Sequence, residues 1–445
     1  MLKKVWFLVS LVLVMSLLLA SCASPAAPTA APSEGGAAPV QEEKAKDVTI
    51  RFFHKWPEPE QLDYYNFVIA EFNKTHPNIK IEMEAASDEA YKDKIRILMA
   101  SGDVPDIYFS WAGEFSWKFA RAGQALDITD ALMNSDWKDK IVLSAVEPYK
   151  VDGKVYGIPM RINAKFMVYN KDIFEQLGLS VPTTWDEFLA VAEALKAAGI
   201  TPISFGNEFP WASAHYVGDL NAKLVNPDVL KADYLLTAEP DALFTDPGYV
   251  EALTRFKLLG DMGYFNDGSN GISHSNARSA FMAGKAGMFY LELEEFVTVN
   301  KEFQNFGFFE FPSGTGGQGD QKLLTGAPDG FMIYGKTEHP EEAIEFLKFV
   351  TSPEMGYEYV KQLGIPSAAV GAVTPENALP LVVDGVNAIN NASGMALWMD
   401  TDMNIKIVEV YLPGMQALLT GSKTPEQVMQ EVHDIAVTVQ AELKQ

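Results

Sequence analysis

Short strand-like runs alternate with longer helix-like stretches from Val48 onward, and this alternation restricts the possible folds more than any other feature of the chain. "VTIRFFHKW" is a β-branched and aromatic run typical of a strand, and an amphipathic helical stretch follows it. "IKIEME", "DEAYKDKIRILMASGD" and "PDIYFSW" then repeat strand, helix and strand. This order predicts an α/β fold whose mostly parallel sheets are flanked by helices.

The length of the chain predicts two lobes. The sequence has 445 residues, of which 48% are hydrophobic, whereas a single core stops growing at about 250–300 residues. In open α/β sheets the ligand lies beyond the carboxyl ends of the strands. Polar and aromatic residues at those ends are therefore candidate ligand contacts.

The first residues have the order of a secretory signal. Lys3 and Lys4 are basic, Val5 to Leu19 is almost entirely apolar, and small residues lead to Cys22. The apolar run is shorter than the ~20 residues that a membrane-spanning helix needs. We therefore predict a cleaved signal peptide over residues 1–21, with a retained anchor helix as the alternative.

Cys22 is the only cysteine in the chain, so it has no partner for an intrachain disulfide. "LASC" at residues 19–22 resembles the bacterial lipobox, which implies a lipid on the Cys22 sulfur and an N-terminal membrane tether. Ala, Pro, Ser and Gly dominate the residues that follow, so residues 22–47 are predicted to be a flexible linker.

The acidic composition argues against several classes of partner. The formal net charge is −24, and nucleic acid needs a basic surface. No nucleic-acid partner is therefore expected, and adhesion to anionic lipid surfaces is disfavoured for the same reason.

The short motifs of cofactor and metal sites are incomplete. "GTGGQG" at residues 314–319 matches the dinucleotide-binding letters, but it lacks a strand before it and a helix after it, so we expect a flexible surface loop. "DTDMN" begins like a calcium loop and then places Ile405 at the required glycine. The six histidines are scattered without metal-ligand spacing. No cofactor and no metal are therefore expected.

Aromatic and carboxylate residues recur at the ends of predicted strands and in the nearby loops. A sugar offers apolar C–H faces that stack on rings and hydroxyl groups that donate to carboxylates. The combination thus suits a carbohydrate. The members of this set are Trp56, Glu58, Trp111, Trp211, Tyr290, Glu292, Trp398 and Asp400.

A glycoside hydrolase is an alternative that the residues leave open. That chemistry needs two carboxyl groups about 5–9.5 Å apart. Glu292, Glu294, Asp400 and Asp402 could supply such a pair. The sequence contains 59 acidic residues, so chance pairs are also expected.

Four stretches in the same order resemble the extracellular solute-binding proteins of bacterial carbohydrate ABC transporters, the group that includes maltose-binding proteins. They are "ILMASGDVPDIYFSW", "YGIPMRINAKFMVYNKDIFEQLGLSVPTTWDEF", "RSAFMAGKAGMFYLE" and "KTEHPEEAIEFLKFVTSPE". Gly287 stands in the third stretch where many members have alanine. The resemblance extends from about Val48 to the C-terminus.

The resemblance implies a two-lobed, type II periplasmic-binding-protein-like fold with the ligand cleft at the hinge. Residues 48–160 plus about 325–375 would form lobe 1, and residues 161–324 plus about 376–445 would form lobe 2. Such a protein binds a sugar or oligosaccharide without breaking a bond and delivers it, by hinge closure, to the permease subunits of an ABC transporter. A monomer outside the cytoplasm, tethered by its lipid to the membrane, is expected.

The resemblance also implies further contact residues. Trp111, Asn207, Trp211, Tyr290, Asp329 and Trp398 occupy positions where family members often contact sugar. Arg161 and Asn163 follow "YGIP" near the expected hinge. Together with Trp56, Glu58, Glu292 and Asp400 they complete the predicted ligand-binding set.

Three other functions remain compatible with the sequence. The first is a secreted carbohydrate-active enzyme, and the second is a binding lobe that signals to a membrane receptor. The third is the same fold with another solute, such as a polyamine, a peptide or a metal. Polyamine sites also combine tryptophan with acidic residues, whereas the missing ligand clusters disfavour a metal.

Overall fold

The computed structural model describes residues 46–444. The predicted signal peptide, Cys22 and all of the predicted linker except its last two residues lie outside this range. Among the described residues, no helix combines the length and apolar character needed to span a bilayer.

Residues 46–444 form thirteen strands. In chain order they are β1 (Val48–His54), β2 (Ile79–Ala85), β3 (Ile107–Trp111), β4 (Lys150–Val151), β5 (Lys154–Val155), β6 (Ile158–Arg161), β7 (Lys165–Asn170), β8 (Thr201–Ser204), β9 (Ala286–Glu292), β10 (Phe306–Phe309), β11 (Leu323–Thr325), β12 (Asp329–Ile333) and β13 (Gly394–Ala396).

The same described range contains seventeen α-helices. They are α1 (Pro59–Thr75), α2 (Asp88–Ser101), α3 (Glu114–Arg121), α4 (Thr129–Met133), α5 (Lys171–Leu177), α6 (Trp185–Ala197), α7 (Trp211–Leu224), α8 (Pro227–Tyr234), α9 (Pro247–Asp261), α10 (His274–Met282), α11 (Phe296–Glu302), α12 (Pro340–Val350), α13 (Pro353–Leu363), α14 (Pro380–Asn391), α15 (Met399–Asp402), α16 (Ile405–Leu419) and α17 (Pro425–Leu443). Short 3₁₀ helices span Asp136–Asp139, Leu143–Ala145, Glu147–Tyr149, Pro240–Ala242, Ser269–Gly271 and Leu293–Glu295.

Two main sheets organise the molecule and confirm the predicted α/β class. The first has the strand order β2-β1-β3-β12-β6, and the second has the order β10-β7-β9-β8. β11 pairs with β13, and β4 pairs with β5, in two small separate sheets.

Strand direction differs from the expectation of mostly parallel sheets. β1 runs parallel to β2 and β3, but β12 is antiparallel to both β3 and β6. In the second sheet only the β8–β9 pair is parallel. Both sheets are therefore mixed: β12 is the strand that reverses direction in the first sheet, and β7 is antiparallel to both of its neighbours in the second.

Each main sheet has its own apolar core. Phe52, Tyr91 and Phe331 belong to the cluster around the first sheet. The second sheet is covered on both faces, since Met167 and Tyr290 pack into one cluster while Phe166 and Leu291 pack into another. This alternation is the two-residue period of a strand with both faces buried.

The strands of the first sheet come from residues 48–161 and 329–333, and those of the second sheet come from residues 165–309. β6 straddles the predicted boundary between residues 160 and 161. The lobe boundaries themselves stay a prediction.

The glycine-rich loop at residues 314–319 packs against the C-terminal end of α7. The Gly319 amide donates to the Lys223 carbonyl oxygen at 3.0 Å. A Cβ atom at Gly317 or Gly319 would lie 2.1 Å from a carbonyl oxygen of that helix end. The glycines thus permit a close backbone approach that satisfies helix carbonyls, instead of forming a phosphate cradle.

Candidate functional site

A cavity of about 670 Å³ lies where strand ends of the two main sheets face each other. Trp111 ends β3, Arg161 ends β6 and Asp329 begins β12, and the strand register places Asp329 beside both of the others. Glu292, at the end of β9, contributes from the second sheet. The volume falls within the range of about 300–1,000 Å³ that small-molecule sites occupy.

Nine of the twelve predicted ligand-binding residues line this cavity. They are Trp56, Glu58, Trp111, Arg161, Trp211, Glu292, Asp329, Trp398 and Asp400. The fold therefore brings together residues that are more than 300 positions apart in the chain. Their contact with a ligand stays a prediction.

Asn163 lies behind the cavity wall. Its Nδ2 donates to Glu292 Oε2 at 2.7 Å, and its Oδ1 accepts from the Glu294 backbone amide at 3.4 Å. The residue therefore holds the Glu292 carboxylate in place without lining the cavity itself.

Asn207 and Tyr290 are not part of the lining, which differs from their predicted place. The Asn207 side chain is fully buried and bonds to Ser213 and Asn270, each at 2.7 Å. Tyr290 is 2% exposed and lies two residues before the end of its strand, with Lys165 Nζ 5.4 Å above its ring. Lys165 thus covers the Tyr290 ring.

Sequence reasoning missed several charged residues that complete the site. Lys55 and Lys92 line the cavity, and Lys165 is buried beside Glu292. Lys55 follows β1 directly, so the rule that selected Trp56 could also have selected it. His215 lies on α7 one helical turn after Trp211, and that four-residue spacing was the available signal.

Arg161 is the centre of a buried ion-pair network. Its Nε and Nη2 donate to Asp329 Oδ2 at 2.9 and 2.6 Å, and its Nη1 pairs with Glu294. Lys55 Nζ lies 3.8 Å from the same Asp329 oxygen and 3.2 Å from Asp88. The guanidinium also lies 4.7 Å from the centre of the Trp56 ring, so the cation is held on several sides.

Burial changes the protonation of the acidic residues. It raises the pKa of Glu294 to about 8, with Arg161 opposing the rise and Glu292 adding to it. Burial also raises the pKa of Glu292 and of Asp400, while lysines nearby oppose the rise. Desolvation disfavours the charged form of each carboxyl group.

Histidine and tryptophan rings from both sides of the cavity form an aromatic wall. The His215 ring lies 4.4 Å from the Trp398 ring, centre to centre, at an angle of 30°. Trp211 lies 5.2 Å from His215 on another side. Burial, with Lys165 nearby, holds the pKa of His215 well below its usual range, so its ring is neutral at pH 7.

The part of the chain that the structure describes contains no group of three or more histidine, cysteine or acidic residues arranged to hold a metal ion. The functional groups of this site are aromatic faces, carboxylate acceptors and lysine or arginine donors. Such a set orients an uncharged polar solute by stacking and hydrogen bonding.

Comparison with known proteins supports the architecture. A solved chitin oligosaccharide binding protein is 25% identical, with a TM-score of 0.80 over 89% of this chain and 99% of that protein. A structure from work on xylan utilization by Caldanaerobius polysaccharolyticus is 22% identical, also with a TM-score of 0.80, over 87% of this chain and 99% of its own.

Comparison of sequences points to the same group of proteins as the comparison of structures. The Multiple sugar-binding protein of Streptococcus mutans is 29% identical over 343 residues, which is 76% of this chain and 79% of that protein. The family model described as bacterial extracellular solute-binding protein matches residues 56–357. The predicted family is thereby confirmed, and the chain belongs to the bacterial extracellular solute-binding proteins.

Proposed function

We propose that this protein binds an extracellular sugar or oligosaccharide in the cavity between its two sheets and delivers it to the permease of an ABC transporter. The observation that supports this most is the lining itself, in which Trp56, Trp111, Trp211 and Trp398 meet the carboxylates of Glu292, Asp329 and Asp400. Rings stack on the C–H faces of a sugar, and carboxylates accept from its hydroxyl groups. Two of its relatives bear the names Multiple sugar-binding protein and chitin oligosaccharide binding protein.

Hinge closure would couple binding to delivery. We place lobe 1 at residues 48–160 plus about 325–375 and lobe 2 at residues 161–324 plus about 376–445. Trp398 and Met399 are adjacent in the chain, yet Trp398 packs into the core of the first sheet and Met399 into the core of the second. The chain therefore crosses between the two cores at this point. A ligand that touches both sides favours the closed arrangement.

The first experiment is thermal melting of the protein from Ala23 onward with raffinose, xylotriose, N,N′-diacetylchitobiose and spermidine. A ligand that binds only the folded state at a hundredfold excess over its Kd adds about 2.7 kcal/mol of stability. A sugar that raises the melting temperature and is recovered unchanged supports a binding role. A shift with spermidine alone would refute the sugar assignment, and recovery of cleaved sugar would indicate an enzyme.

A matched pair of tryptophan variants locates the site. Trp211→Ala removes a half-buried ring from the cavity wall, and we expect about tenfold or greater loss of sugar affinity. Trp117→Ala removes another half-buried ring, on α3, outside the cavity lining, and should leave the affinity unchanged. Equal affinities of the two variants would contradict the placement.

The N-terminal segment supports a proposal about location. We infer that residues 1–21 direct export and that Cys22 carries the lipid that holds a monomer at the outer face of the membrane. Cys22→Ala should move the protein from the membrane fraction to the soluble fraction, since two or more acyl chains are needed for stable attachment. Retention of this variant in the membrane would instead support an uncleaved anchor helix.

A further inference from the structure

His215 is buried between two carboxylates, and neither of its ring nitrogens is close enough to them to form a hydrogen bond. The residue is 5% exposed and lines the cavity. Its Nδ1 lies 3.9 Å from Glu292 Oε1, and its Nε2 lies 3.8 Å from Asp400 Oδ1. Within residues 46–444, neither Nδ1 nor Asp400 Oδ1 has a hydrogen-bond partner.

An imidazole between two carboxylates would ordinarily be expected to take up a proton, but here each carboxylate already faces a lysine. Lys165 Nζ lies 3.9 Å from Glu292 Oε1, and Lys92 Nζ lies 3.8 Å from Asp400 Oδ2. The charges are thus matched without a proton on His215. A neutral imidazole offers one donor and one acceptor.

The position of the ring is set by its neighbours. Trp398 covers one face at 4.4 Å, and Trp211 lies 5.2 Å away. The ring therefore cannot swing toward either carboxylate to close the gaps without losing this stacking. A buried polar atom without a partner costs about 1–3 kcal/mol. The unpartnered Asp400 Oδ1, which faces His215 Nε2, therefore points to a bonding group that arrives with the ligand.

We infer that His215 is a specificity-determining residue that, together with Asp400, binds one hydroxyl group of the ligand. A hydroxyl oxygen about 2.8 Å from each group fits between atoms 3.8 Å apart. The hydroxyl donates to the Asp400 carboxylate and accepts from the imidazole N–H. A carboxylate or phosphate substituent is rejected at this point because it can only accept and would face Asp400. The inference rests on the proposed sugar-binding function and identifies the residue that recognises one hydroxyl group of the ligand.

Two substitutions separate ligand recognition from a structural role. His215→Phe keeps a ring against Trp398 but removes both nitrogens, so the ligand-free protein should melt at or above the wild-type temperature, since an unpartnered buried polar atom is lost. His215→Gln keeps a neutral donor and acceptor. His76→Phe is the control, because His76 also stacks on a ring, that of Phe72 at 4.2 Å, at the opposite end of α1 from the cavity.

The measurement is calorimetric titration of wild type and the three variants with raffinose, xylotriose and N,N′-diacetylchitobiose. For whichever of these sugars the wild type binds, His215→Phe should weaken binding about tenfold to a hundredfold. His215→Gln should recover part of that loss, and His76→Phe should match the wild type. Monodeoxy analogues of the same sugar then identify the hydroxyl, because its removal should weaken wild-type binding while leaving His215→Phe unaffected.

Several results would overturn the inference. Binding by His215→Phe within twofold of wild type would show that His215 does not contact the sugar. A large drop in the melting temperature of ligand-free His215→Phe, or binding by His215→Gln as weak as that of His215→Phe, would indicate a packing role instead. If the wild type binds none of the three sugars but does bind spermidine, the proposed function itself fails and the inference fails with it. Undiminished sugar binding by His215→Phe would leave the proposed function standing.

Discussion

Removal of the Asp329 charge tests whether the buried ion-pair network holds the first sheet together at the cavity. The Asp329 side chain is 3% exposed, and its Oδ2 accepts two bonds from Arg161 at 2.6 and 2.9 Å. Lys55 Nζ lies 3.8 Å from the same oxygen. Asp329→Asn keeps the shape and removes the negative charge on which both cations depend.

The expected loss of stability follows from the burial of the pair. Breaking a buried ion pair by removal of one partner costs about 3–5 kcal/mol. The amide oxygen that Asp329→Asn introduces can still accept a hydrogen bond from Arg161, so the lower end, about 3 kcal/mol, is expected. An unfolding entropy of about 2.1 cal/mol/K per residue, over roughly 400 residues, converts this loss into a fall in Tm of about 4 °C.

Calorimetric melting at pH 7 measures this fall, with Asp103→Asn as the matched control. Asp103 pairs with Arg51 at 2.7 Å, but the two side chains are 71% and 45% exposed. An exposed pair of this kind contributes at most about 1 kcal/mol, which corresponds to a fall of about 1 °C by the same conversion. Equal melting temperatures of the two variants would refute the reasoning that burial makes the Asp329 charge matter.

Three further changes test local features of the fold. Burial raises the pKa of Glu294 to about 8, so the folded state holds this proton more tightly than the unfolded state. The stability that the bound proton contributes at low pH is therefore lost as the pH rises toward 8. Between pH 5 and 8 the wild-type Tm should fall more steeply than the Tm of Glu294→Gln, and parallel curves would contradict the pKa shift. Gly287→Ala puts a Cβ atom 2.7 Å from the Leu195 side chain and should destabilise the protein by about 1–3 kcal/mol in denaturant titration, whereas an unchanged midpoint would mean that Leu195 moves aside freely. Thr424→Ala removes the capping box of α17 and should cost about 1 kcal/mol by the same titration, while Thr424→Ser, which keeps the cap, should stay close to the wild type.

The strand ends that form the site were largely predictable. The two-residue alternation and the aromatic runs locate β1 and β3, and the residues after such strands lie at one edge of the sheet. Trp56 and Trp111 were therefore placed at the cavity by local sequence alone. Asp329 needed the family resemblance, since nothing in its immediate neighbours identifies a cleft.

The depth of a residue within its strand was harder to predict. Tyr290 and Glu292 share a face of β9 by their two-residue spacing, yet only Glu292 reaches the cavity. Lys165, paired with Glu292 across neighbouring strands, covers the tyrosine. The pairing partner of a strand, and hence the side chain that covers a given ring, depends on contacts between segments that are far apart in the chain.

The sequence by itself determined the class of fold, the alternation of strands with helices and the concentration of aromatic and acidic residues at strand ends. These follow from interactions within a few residues, which repeat with the helical and strand periods. Only the tertiary structure decided that β12 runs antiparallel between β3 and β6, and that His215 lies between Glu292 and Asp400. Such neighbours depend on the burial of apolar surface over the whole chain. Because that interaction is non-directional, the periodicity of one segment does not specify which segment packs against it.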